Sequence, residues 1–426
     1  MVGMIKEKAI KILKNRFVCD NCLGRVLAGQ LLSGLTNKER GKIIRFYLAF
    51  LLDAGEKLEI NLSNFYGIKF RNKKIKVEKP GKCFICKNFF DEKIGGIAKK
   101  IAEKLKKFEF NSFLIGTIVP DEILKAEEEI WEAIGIENVE SIKSEINREL
   151  GKEVRSLVKK KFDKKLPDIT VIVDLENGRV SLQVRSLYVY GEYKKLKRGF
   201  PQAKWICSKC KGKGCIYCKG EGKLYKTSIQ EIIEKPLLKA TKAKKSAFHG
   251  GGREDIDARC LDWRPFVIEI KKPIRRKVNL RKIQAEINKS SKIKVRKLRL
   301  VSKDVVRAVK SQKLDKTYLA IVTFKRPIDK EKLKELKKLT LGPILQKTPL
   351  RVLHRRAKKT RKRLVKKISW EILGKKKLAL RITAQSGLYI KELINGDQGR
   401  TKPSVAEILG NEVQKIVLDV VKIHRK

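Results

Sequence analysis

Eight of the nine cysteines occur in four Cys-x-x-Cys pairs, a spacing typical of metal sites. Two thiols three positions apart on a tight turn can both face one tetrahedral ion, and two such pairs complete a four-cysteine site. Four of the cysteines fall within the short segment CSKCKGKGCIYC, whose glycines permit tight backbone turns. This segment predicts one closed, structural zinc site formed by Cys207, Cys210, Cys215 and Cys218.

The remaining pairs, Cys19/Cys22 and Cys83/Cys86, lie about sixty residues apart in the chain. Together they predict a second structural zinc site, which would tie an N-terminal helix to a later segment. Disulfides are the alternative, but a chain without a signal peptide argues against an oxidising compartment. Four thiolates are also compatible with an iron–sulfur cluster. Cys260 stands alone and is expected to be a small buried hydrophobe.

The charge of the chain indicates a polyanionic partner. Lys and Arg number 103 against 47 Asp and Glu, which is a formal net charge of +56. Such an excess favours nucleic acid. The densest basic run is HRRAKKTRKRLVKK, residues 354–367, which predicts an arm that contacts phosphates.

Composition narrows the class and location of the protein. Hydrophobic residues make up 42% of the chain, which suffices for globular folding. No apolar run reaches the roughly 18–20 residues of a membrane span, and the N-terminus lacks a signal-peptide pattern. We therefore expect a cytoplasmic protein with no membrane association. No long apolar seam is visible, so a monomer is expected.

Hydrophobic periodicity predicts an α/β (α+β) fold. In the first half it favours helices over 4–17, 91–108, 121–134 and 141–160 and a strand over 113–119. Two alternating runs, 169–175 and 180–184, flank Asn177-Gly178 and predict a hairpin. In the second half strands are predicted over 266–270, 295–300, 317–324, 378–384 and 413–420. Helices are predicted near 278–288, 303–311, 329–338, 389–395 and 403–409.

Familiar cofactor motifs are missing. The chain has no GxxxxGK[ST] loop, no GxSxG elbow, no GxGxxG after a strand, and only three histidines. The segment that stands out is FHGGGREDIDARCLDWRPFVIEI, in which a glycine-rich, acidic loop precedes a buried strand. Taken alone, this loop is a weak indication of an active site.

This segment resembles the catalytic loop of pseudouridine synthases, and its extended form is similar to the archaeal and eukaryotic tRNA enzymes of the Pus-ten type. Further motifs match the same family in the same order along essentially the whole chain: FVCDNCLGR (17–25), the segment 187–210 with YGEYKKLKRGFPQAKWICSKC, Lys316-Thr317-Tyr318, QKTPLRVLHRR (346–356) and SGLYIKELINGDQGRTK (386–402). One departure is the turn before Arg-Pro-Phe, which has no glycine here.

The resemblance implies an N-terminal zinc-knuckle and THUMP-like α/β domain followed by a pseudouridine-synthase-like mixed-sheet catalytic domain. The expected divisions are an N-terminal helical region over 1–60, a THUMP-like RNA-binding domain over 61–200, a zinc knuckle over 201–225 and a catalytic domain over 226–426. The implied activity is isomerisation of uridine to pseudouridine in tRNA, at nucleotides 54 and 55 of the T-arm, without an organic cofactor. The THUMP-like domain and the basic arm would bind the tRNA.

The resemblance also implies roles for individual residues. Asp255 would be the nucleophile or base that starts cleavage of the glycosidic bond, and Lys391 would be its positive partner. Tyr318 would stack on the flipped uracil and is also a candidate to remove its C5 proton. Tyr389 and Leu418 would line the uracil pocket.

Two rival functions follow from the same features. A different THUMP-bearing tRNA enzyme would need an adenosylmethionine or ATP loop, and neither is found. A non-catalytic, zinc-containing tRNA- or rRNA-binding protein would explain the charge and the cysteines but leave Gly250–Asp255 without a role.

Overall fold

The computed structural model describes residues 2–28, 34–137, 139–355 and 357–425. The chain divides into an N-terminal unit, Met1–Arg185, and a C-terminal unit, Ser186–Lys426. Within the described residues, no helix is both long and apolar enough to cross a membrane.

The N-terminal unit combines helices with a four-stranded sheet. Its helices are α1 (Val2–Leu13), α2 (Asp20–Ala28), α3 (Asn37–Asp53), α4 (Phe89–Glu92), α5 (Ile94–Leu105), α6 (Asp121–Ile134) and α7 (Ile142–Val158). Its strands are β1 (Ser112–Ile118), β2 (Lys161–Phe162), β3 (Ile169–Asp174) and β4 (Arg179–Val184). They lie in the order β2-β1-β3-β4, with only the β3–β4 pair antiparallel.

Local signals explain these elements. Alternate residues of β3 are buried, as expected for a strand with one face on the core. The turn at Asn177-Gly178 forms as predicted, with Gly178 at φ +66°. One hydrophobic cluster runs from Ala9 to Val180, so the segments expected to divide at residue 60 share a core.

The C-terminal unit is built on an eight-stranded mixed sheet. The strands of the unit, which also include those of a second, smaller sheet, are β5 (Leu187–Lys195), β6 (Lys245–Gly250), β7 (Arg259–Lys271), β8 (Ile293–Val301), β9 (Lys316–Phe324), β10 (Ile344–Lys347), β11 (Thr360–Arg363), β12 (Val365–Gly374), β13 (Lys377–Ala384), β14 (Thr401–Lys402) and β15 (Val413–Ile423). Its helices are α8 (Ile229–Thr241), α9 (Leu280–Ile287), α10 (Asp304–Ser311), α11 (Ile390–Asn395) and α12 (Val405–Leu409).

The sheet order is β12-β13-β9-β15-β7-β5-β8, with β6 paired to β7. A separate three-stranded sheet has the order β11-β10-β14. The α/β (α+β) class is confirmed. The predicted strands recur within about three residues of their expected bounds, except that β7 begins at Arg259, well before the expected start at Phe266. In the segment before Arg-Pro-Phe, β7 continues as a strand through Leu261–Arg264, but its pairing register with β5 shifts between Cys260 and Arg264.

In two regions the structure differs from what the sequence predicted. The strand β5 pairs with β7 and β8, so the boundary expected at residue 200 falls between Arg185 and Ser186. Strand partners far apart in the chain are set by the tertiary fold and cannot be read from local periodicity. The expected basic arm 354–367 is not one loop, because β11 pairs with β10 and β12 begins at Val365. Arg356 of that arm lies outside the described residues.

Candidate active site

A glycine-rich loop between β6 and β7 carries the Asp255 carboxylate. A Cβ on Gly251 would lie 2.8 Å from Pro265 Cγ, and one on Gly252 would lie 2.9 Å from Arg264 Nη1. Gly252 also has a φ of +84°, which side chains rarely adopt. Only glycine at these positions lets the loop lie this close to β7.

A buried polar network holds the residue before Asp255. Glu254 Oε2 lies 3.1 Å from Arg264 Nε, and both side chains are almost fully buried. The Tyr193 hydroxyl donates to Glu254 at 2.9 Å and accepts a 2.7 Å hydrogen bond from Gln202 Nε2. Gln202 Nε2 also donates to the Gly252 carbonyl at 2.9 Å, and Arg264 Nη1 donates to the Gly251 carbonyl at 3.2 Å, so the network holds the loop backbone beside the carboxylate.

Two cations approach the Asp255 carboxylate. Arg351 Nη1 lies 3.0 Å from its Oδ1, and Lys391 Nζ lies 3.9 Å from its Oδ2. Lys391 is closer to Asp257, whose two oxygens accept its hydrogen bonds at 2.8 and 2.6 Å. Burial opposes ionisation of Asp257, but the hydrogen bond from Lys391 outweighs it and lowers the pKa of this carboxyl. The sequence-predicted partner, Lys391, is therefore nearby but not the nearest cation.

Arg351 is held from its other side by Glu392. Arg351 Nε donates to Glu392 Oε1 at 2.6 Å, and the Glu392 side chain is only 3% exposed. Burial opposes the charge of Arg351, but Glu392 and then Asp255 raise its pKa further above the usual value. The guanidinium is therefore a permanent cation fixed between two carboxylates.

Four of the five residues expected to act on uridine line one cavity of about 350 Å³. These are Asp255, Tyr318, Tyr389 and Leu418. Lys391 lines a neighbouring cavity of about 190 Å³, which Asp255 also borders. The structure thus brings all five together around one carboxylate.

Neighbouring strands position the two pocket residues of the sheet. Tyr318 lies on β9 and Leu418 on β15, and Leu418 pairs with Ala320, two residues beyond Tyr318. Residues two apart on a strand share a face, so both side chains meet at the cavity. Burial raises the pKa of Tyr318 to about 12. Burial and then the nearby Arg264 lower the pKa of Lys316, another lining residue, to about 8.

Tyr389 is held by a buried amide at the start of α11. Gln346 is fully buried; its Oε1 accepts from the Tyr389 backbone N–H at 2.8 Å, and its Nε2 donates to the Tyr389 carbonyl at 3.0 Å. The guanidinium carbons of Arg351 and Arg361 each lie 5.9 Å from the centre of the Tyr389 ring. The backbone of Tyr389 is therefore held in place, and two cations lie close to its ring.

Each of the two expected cysteine sets forms a cluster in which all four sulfurs lie within 4.8 Å of one another. The clusters are Cys19, Cys22, Cys83 and Cys86 in the N-terminal unit and Cys207, Cys210, Cys215 and Cys218 in the C-terminal unit.

The geometry of both clusters fits a tetrahedral metal. Metal–sulfur bonds of about 2.3 Å require sulfur–sulfur distances of about 3.8 Å. The distance from Cys19 Sγ to Cys86 Sγ is 3.6 Å, and that from Cys210 Sγ to Cys218 Sγ is 3.7 Å. Backbone amides also point at sulfur, as from Cys19 N to Cys83 Sγ at 3.3 Å. Such donors stabilise thiolate charge, so both clusters can bind a metal.

Family models match both units of the chain. The family described as "Pus10, C-terminal" matches residues 188–424, and the one described as "Pus10 THUMP domain, archaeal" matches residues 97–174. The first begins at the boundary between the units, in agreement with the place of β5 in the C-terminal unit.

Curated relatives match nearly the full length. The protein from Methanocaldococcus jannaschii is 43% identical over 97% of this chain and 93% of its own. That from Methanopyrus kandleri is 41% identical over 99% of this chain and 98% of its own. Both are named "tRNA pseudouridine synthase Pus10".

Among solved structures, one described as a "Cbf5-Nop10-Gar1 Complex" is 16% identical, with a TM-score of 0.30, over 55% of this chain and 48% of its own. This similarity is too low to support an argument. The sequence matches, in contrast, identify the class of the protein. It is a pseudouridine synthase, which is an isomerase. More particularly, the chain belongs to the Pus10 family.

Sequence reasoning missed the groups that surround the predicted carboxylate. Arg351 and Glu392 both lie inside segments matched to the family, but no role was assigned to either. The Glu254–Arg264 pair lies in the recognised segment FHGGGRED…RPFVIEI as well. A signal was present in each case, namely a charged residue within a long matched motif.

Proposed function

We propose that this protein converts uridine to pseudouridine in tRNA, at nucleotides 54 and 55 of the T-arm, with Asp255 as the catalytic carboxylate. The observation that carries the proposal is that Asp255 borders a nucleotide-sized cavity while its Oδ1 lies 3.0 Å from Arg351. The curated relatives' shared name supports tRNA as the substrate. The two T-arm positions come from the family resemblance.

The reaction rearranges the nucleoside without oxidation or reduction. The bond between uracil N1 and ribose C1′ breaks, and a bond between C5 and C1′ forms. C5 loses its proton and N1 gains one, so the atoms balance and no organic cofactor is required. Asp255 starts the cleavage, either by attacking C1′ or by removing a proton from the sugar. Arg351 and Lys391 place two positive charges beside this carboxylate, at 3.0 and 3.9 Å.

Tyr318 supports the base by packing. Because its pKa is raised to about 12, the phenol stays protonated at neutral pH and is poorly suited to accept the C5 proton. We therefore assign stacking on the detached uracil to Tyr318 and proton transfer to Asp255. Leu418, which is 6% exposed, closes the apolar side of the pocket.

Tyr389 completes the uracil pocket. Its backbone is fixed by Gln346, and two arginine side chains lie within 6 Å of its ring. A uracil that has left its C1′ carries negative charge in a dissociative route. Nearby cations lower the energy of that anion, most strongly in a pocket that excludes water.

The charge distribution supports RNA as the partner. The C-terminal unit holds 66 of the Lys and Arg residues against 21 Asp and Glu, whereas the N-terminal unit holds 37 against 26. Phosphate contacts from this excess would offset the few kcal/mol that extrusion of a uridine costs. Residues 354–367 and the domain matched to the THUMP family are the proposed contact regions.

The two cysteine clusters are proposed to hold structural zinc. Four thiolates fill every position of a tetrahedral ion, so neither site keeps a position for a reacting group. The N-terminal cluster joins the start of α2 to the turn before α4, and the C-terminal cluster closes residues 207–218 on themselves. Both would stabilise structure and take no part in catalysis.

The direct test is pseudouridine formation in unmodified tRNA transcript with no added cofactor. Wild type should modify the T-arm, as mapped by carbodiimide-primer extension, and Asp255→Asn should bind the tRNA but form no product. Asp304→Asn, at an exposed carboxylate on α10, serves as the matched control and should be active.

Each alternative result has a distinct meaning. Equal activity of Asp255→Asn and wild type would reject Asp255 as the catalytic group. Tight tRNA binding by all three proteins without product would reject catalysis on tRNA and favour a binding protein. Product outside the T-arm would reject the proposed positions alone.

A further inference from the structure

Residues 204–226, which we call the knuckle arm, contain an eight-residue repeat around the C-terminal cysteine cluster. The pattern Cys-x-x-Cys-x-Gly-x-Gly begins at Cys207 and again at Cys215. The repeat is visible in the structure, where Gly214 N and Gly222 N each donate to a cysteine sulfur at 3.2 Å. The arm therefore consists of two equivalent turns built around one cluster.

The two turns are locked together through their glycines. A Cβ on Gly214 would lie 2.7 Å from the Gly220 carbonyl oxygen, and one on Gly222 would lie 2.5 Å from the Gly212 oxygen. Such close backbone contact, added to four sulfur ligands, makes the arm rigid. A rigid surface binds a partner with little loss of conformational entropy.

The second turn presents two apolar side chains at its tip. Ile216 is 98% exposed and Tyr217 is 58% exposed. Lys209 Nζ, from the first turn, lies 4.5 Å from the centre of the Tyr217 ring. The cysteines and glycines already determine the shape of the arm, so these tip residues have no evident part in its folding.

The surroundings of the tip are strongly basic. Glu221 is the only acidic residue of the knuckle arm. Its exposed lysines are Lys204, Lys209, Lys211, Lys213, Lys219 and Lys226. An aromatic ring and an aliphatic side chain among cations match a nucleic acid, whose bases stack and whose phosphates attract lysine. An ordinary protein surface offers no such density of negative charge.

The base of the arm reaches the active site. Trp205 lines the 190 Å³ cavity that Asp255, Arg351 and Lys391 also border. The Trp205 carbonyl accepts from Leu224 N at 2.9 Å, which ties the two ends of the arm together. The arm is thus continuous with the wall of the proposed catalytic cavity.

We propose that the knuckle arm is an RNA-binding surface that contacts nucleotides next to the uridine being modified. Tyr217 stacks on a base, Ile216 packs against it, and the lysines contact the adjoining phosphates. This inference rests on the proposed function, because it takes the RNA substrate as the ligand. The metal of this cluster then has a purpose beyond stability, since it holds the contact surface in shape.

The apolar contact is tested by steady-state kinetics on the tRNA transcript with the double variant Ile216→Ser/Tyr217→Ser. Loss of one stacked base should raise KM about fivefold or more, while kcat stays within about twofold. Zinc content should equal that of wild type, because all eight cysteines remain. Leu341→Ser, at a leucine that is 83% exposed, is the matched control and should behave as wild type.

The phosphate contacts are tested by the salt dependence of tRNA affinity. The triple variant Lys209→Gln/Lys211→Gln/Lys213→Gln should flatten the plot of log affinity against log salt by about 2 to 3 units of slope. The matched control removes three exposed lysines elsewhere, Lys375→Gln/Lys376→Gln/Lys377→Gln, and should leave the slope near that of wild type.

The outcomes separate this inference from the proposed function. Arm variants that match their controls in both KM and salt slope would overturn the knuckle arm as an RNA-binding surface. Wild type that binds tRNA but forms no pseudouridine would instead overturn the proposed reaction. In that case the affinity comparison still decides whether the arm contacts RNA.

Discussion

Arg351 Nη1 lies 3.0 Å from Asp255 Oδ1, although the two residues are 96 positions apart in the chain. The same guanidinium donates through Nε to the buried Glu392. A planar guanidinium with fixed donor directions can hold two carboxylates at once, which a lysine ammonium does with less geometric control. Arg351 therefore orients the proposed catalytic group as well as neutralising its charge.

Replacing Arg351 should damage turnover more than binding. Arg351→Ala removes both the ion pair and the orientation, so kcat should fall about 100-fold while KM changes less than about fivefold. Arg351→Lys restores the positive charge but not the planar arrangement of donors, and should recover only part of the lost kcat. Steady-state kinetics on tRNA transcript measure both constants.

Arg307→Ala is the control for the loss of one positive charge, since Arg307 is an exposed residue of α10. It should leave kcat unchanged. A rise in KM without a fall in kcat for Arg351→Ala would mean that Arg351 only binds RNA.

Asp257 should be far less important than Asp255 for the reaction. Asp257 is 62% exposed and pairs with Lys391, and exposed pairs contribute about 0.2–1 kcal/mol. Asp257→Asn should therefore reduce kcat by less than about fivefold, since it leaves Lys391 close to Asp255. Asp255→Asn, assayed in parallel, should be inactive. The reverse pattern would exchange the roles of the two carboxylates.

Lys316 should make stability depend on pH above neutrality. Its pKa is lowered to about 8 by burial, against about 10.4 in an unfolded chain. Between these values the unfolded state binds the extra proton, so stability rises with pH and is lost as pH falls through 8. From pH 7 to pH 9, wild type should gain about 1 kcal/mol of unfolding free energy relative to Lys316→Met.

Urea denaturation of both proteins at the two pH values measures this difference. The comparison cancels the other titrating groups, which the two proteins share. Lys303→Met, at an exposed lysine, should show no pH-dependent difference from wild type. If the free energy of unfolding of Lys316→Met changed with pH by the same amount as that of wild type, the lowered pKa of Lys316 would be contradicted.

Metal should be bound independently by the two cysteine clusters, because each lies wholly within one unit. Elemental analysis should find two zinc ions per chain, and one in either Cys83→Ser or Cys207→Ser. Since metal binding is coupled to folding, each variant should also unfold at a lower temperature than wild type. Iron and visible absorbance in place of zinc would identify iron–sulfur clusters instead.

Much of this protein could be predicted from local sequence. The alternating runs before and after Asn177-Gly178 predicted a hairpin that forms as expected. The Cys-x-x-Cys spacing predicted both four-cysteine clusters, including the pair of knuckles separated in the chain. The glycine-rich loop and its matched motifs led to the correct family. Periodicity, spacing and motif are properties of neighbouring residues, so they can be read without a fold.

The tertiary structure alone decided which groups meet. Strand β5 joined the C-terminal sheet because β7 and β8 supply its hydrogen-bond partners there. Arg351, rather than Lys391, became the nearest cation to Asp255, and Trp205 came to border the same cavity system. These contacts join residues far apart in the chain. They depend on strand register and packing, which local sequence patterns do not encode.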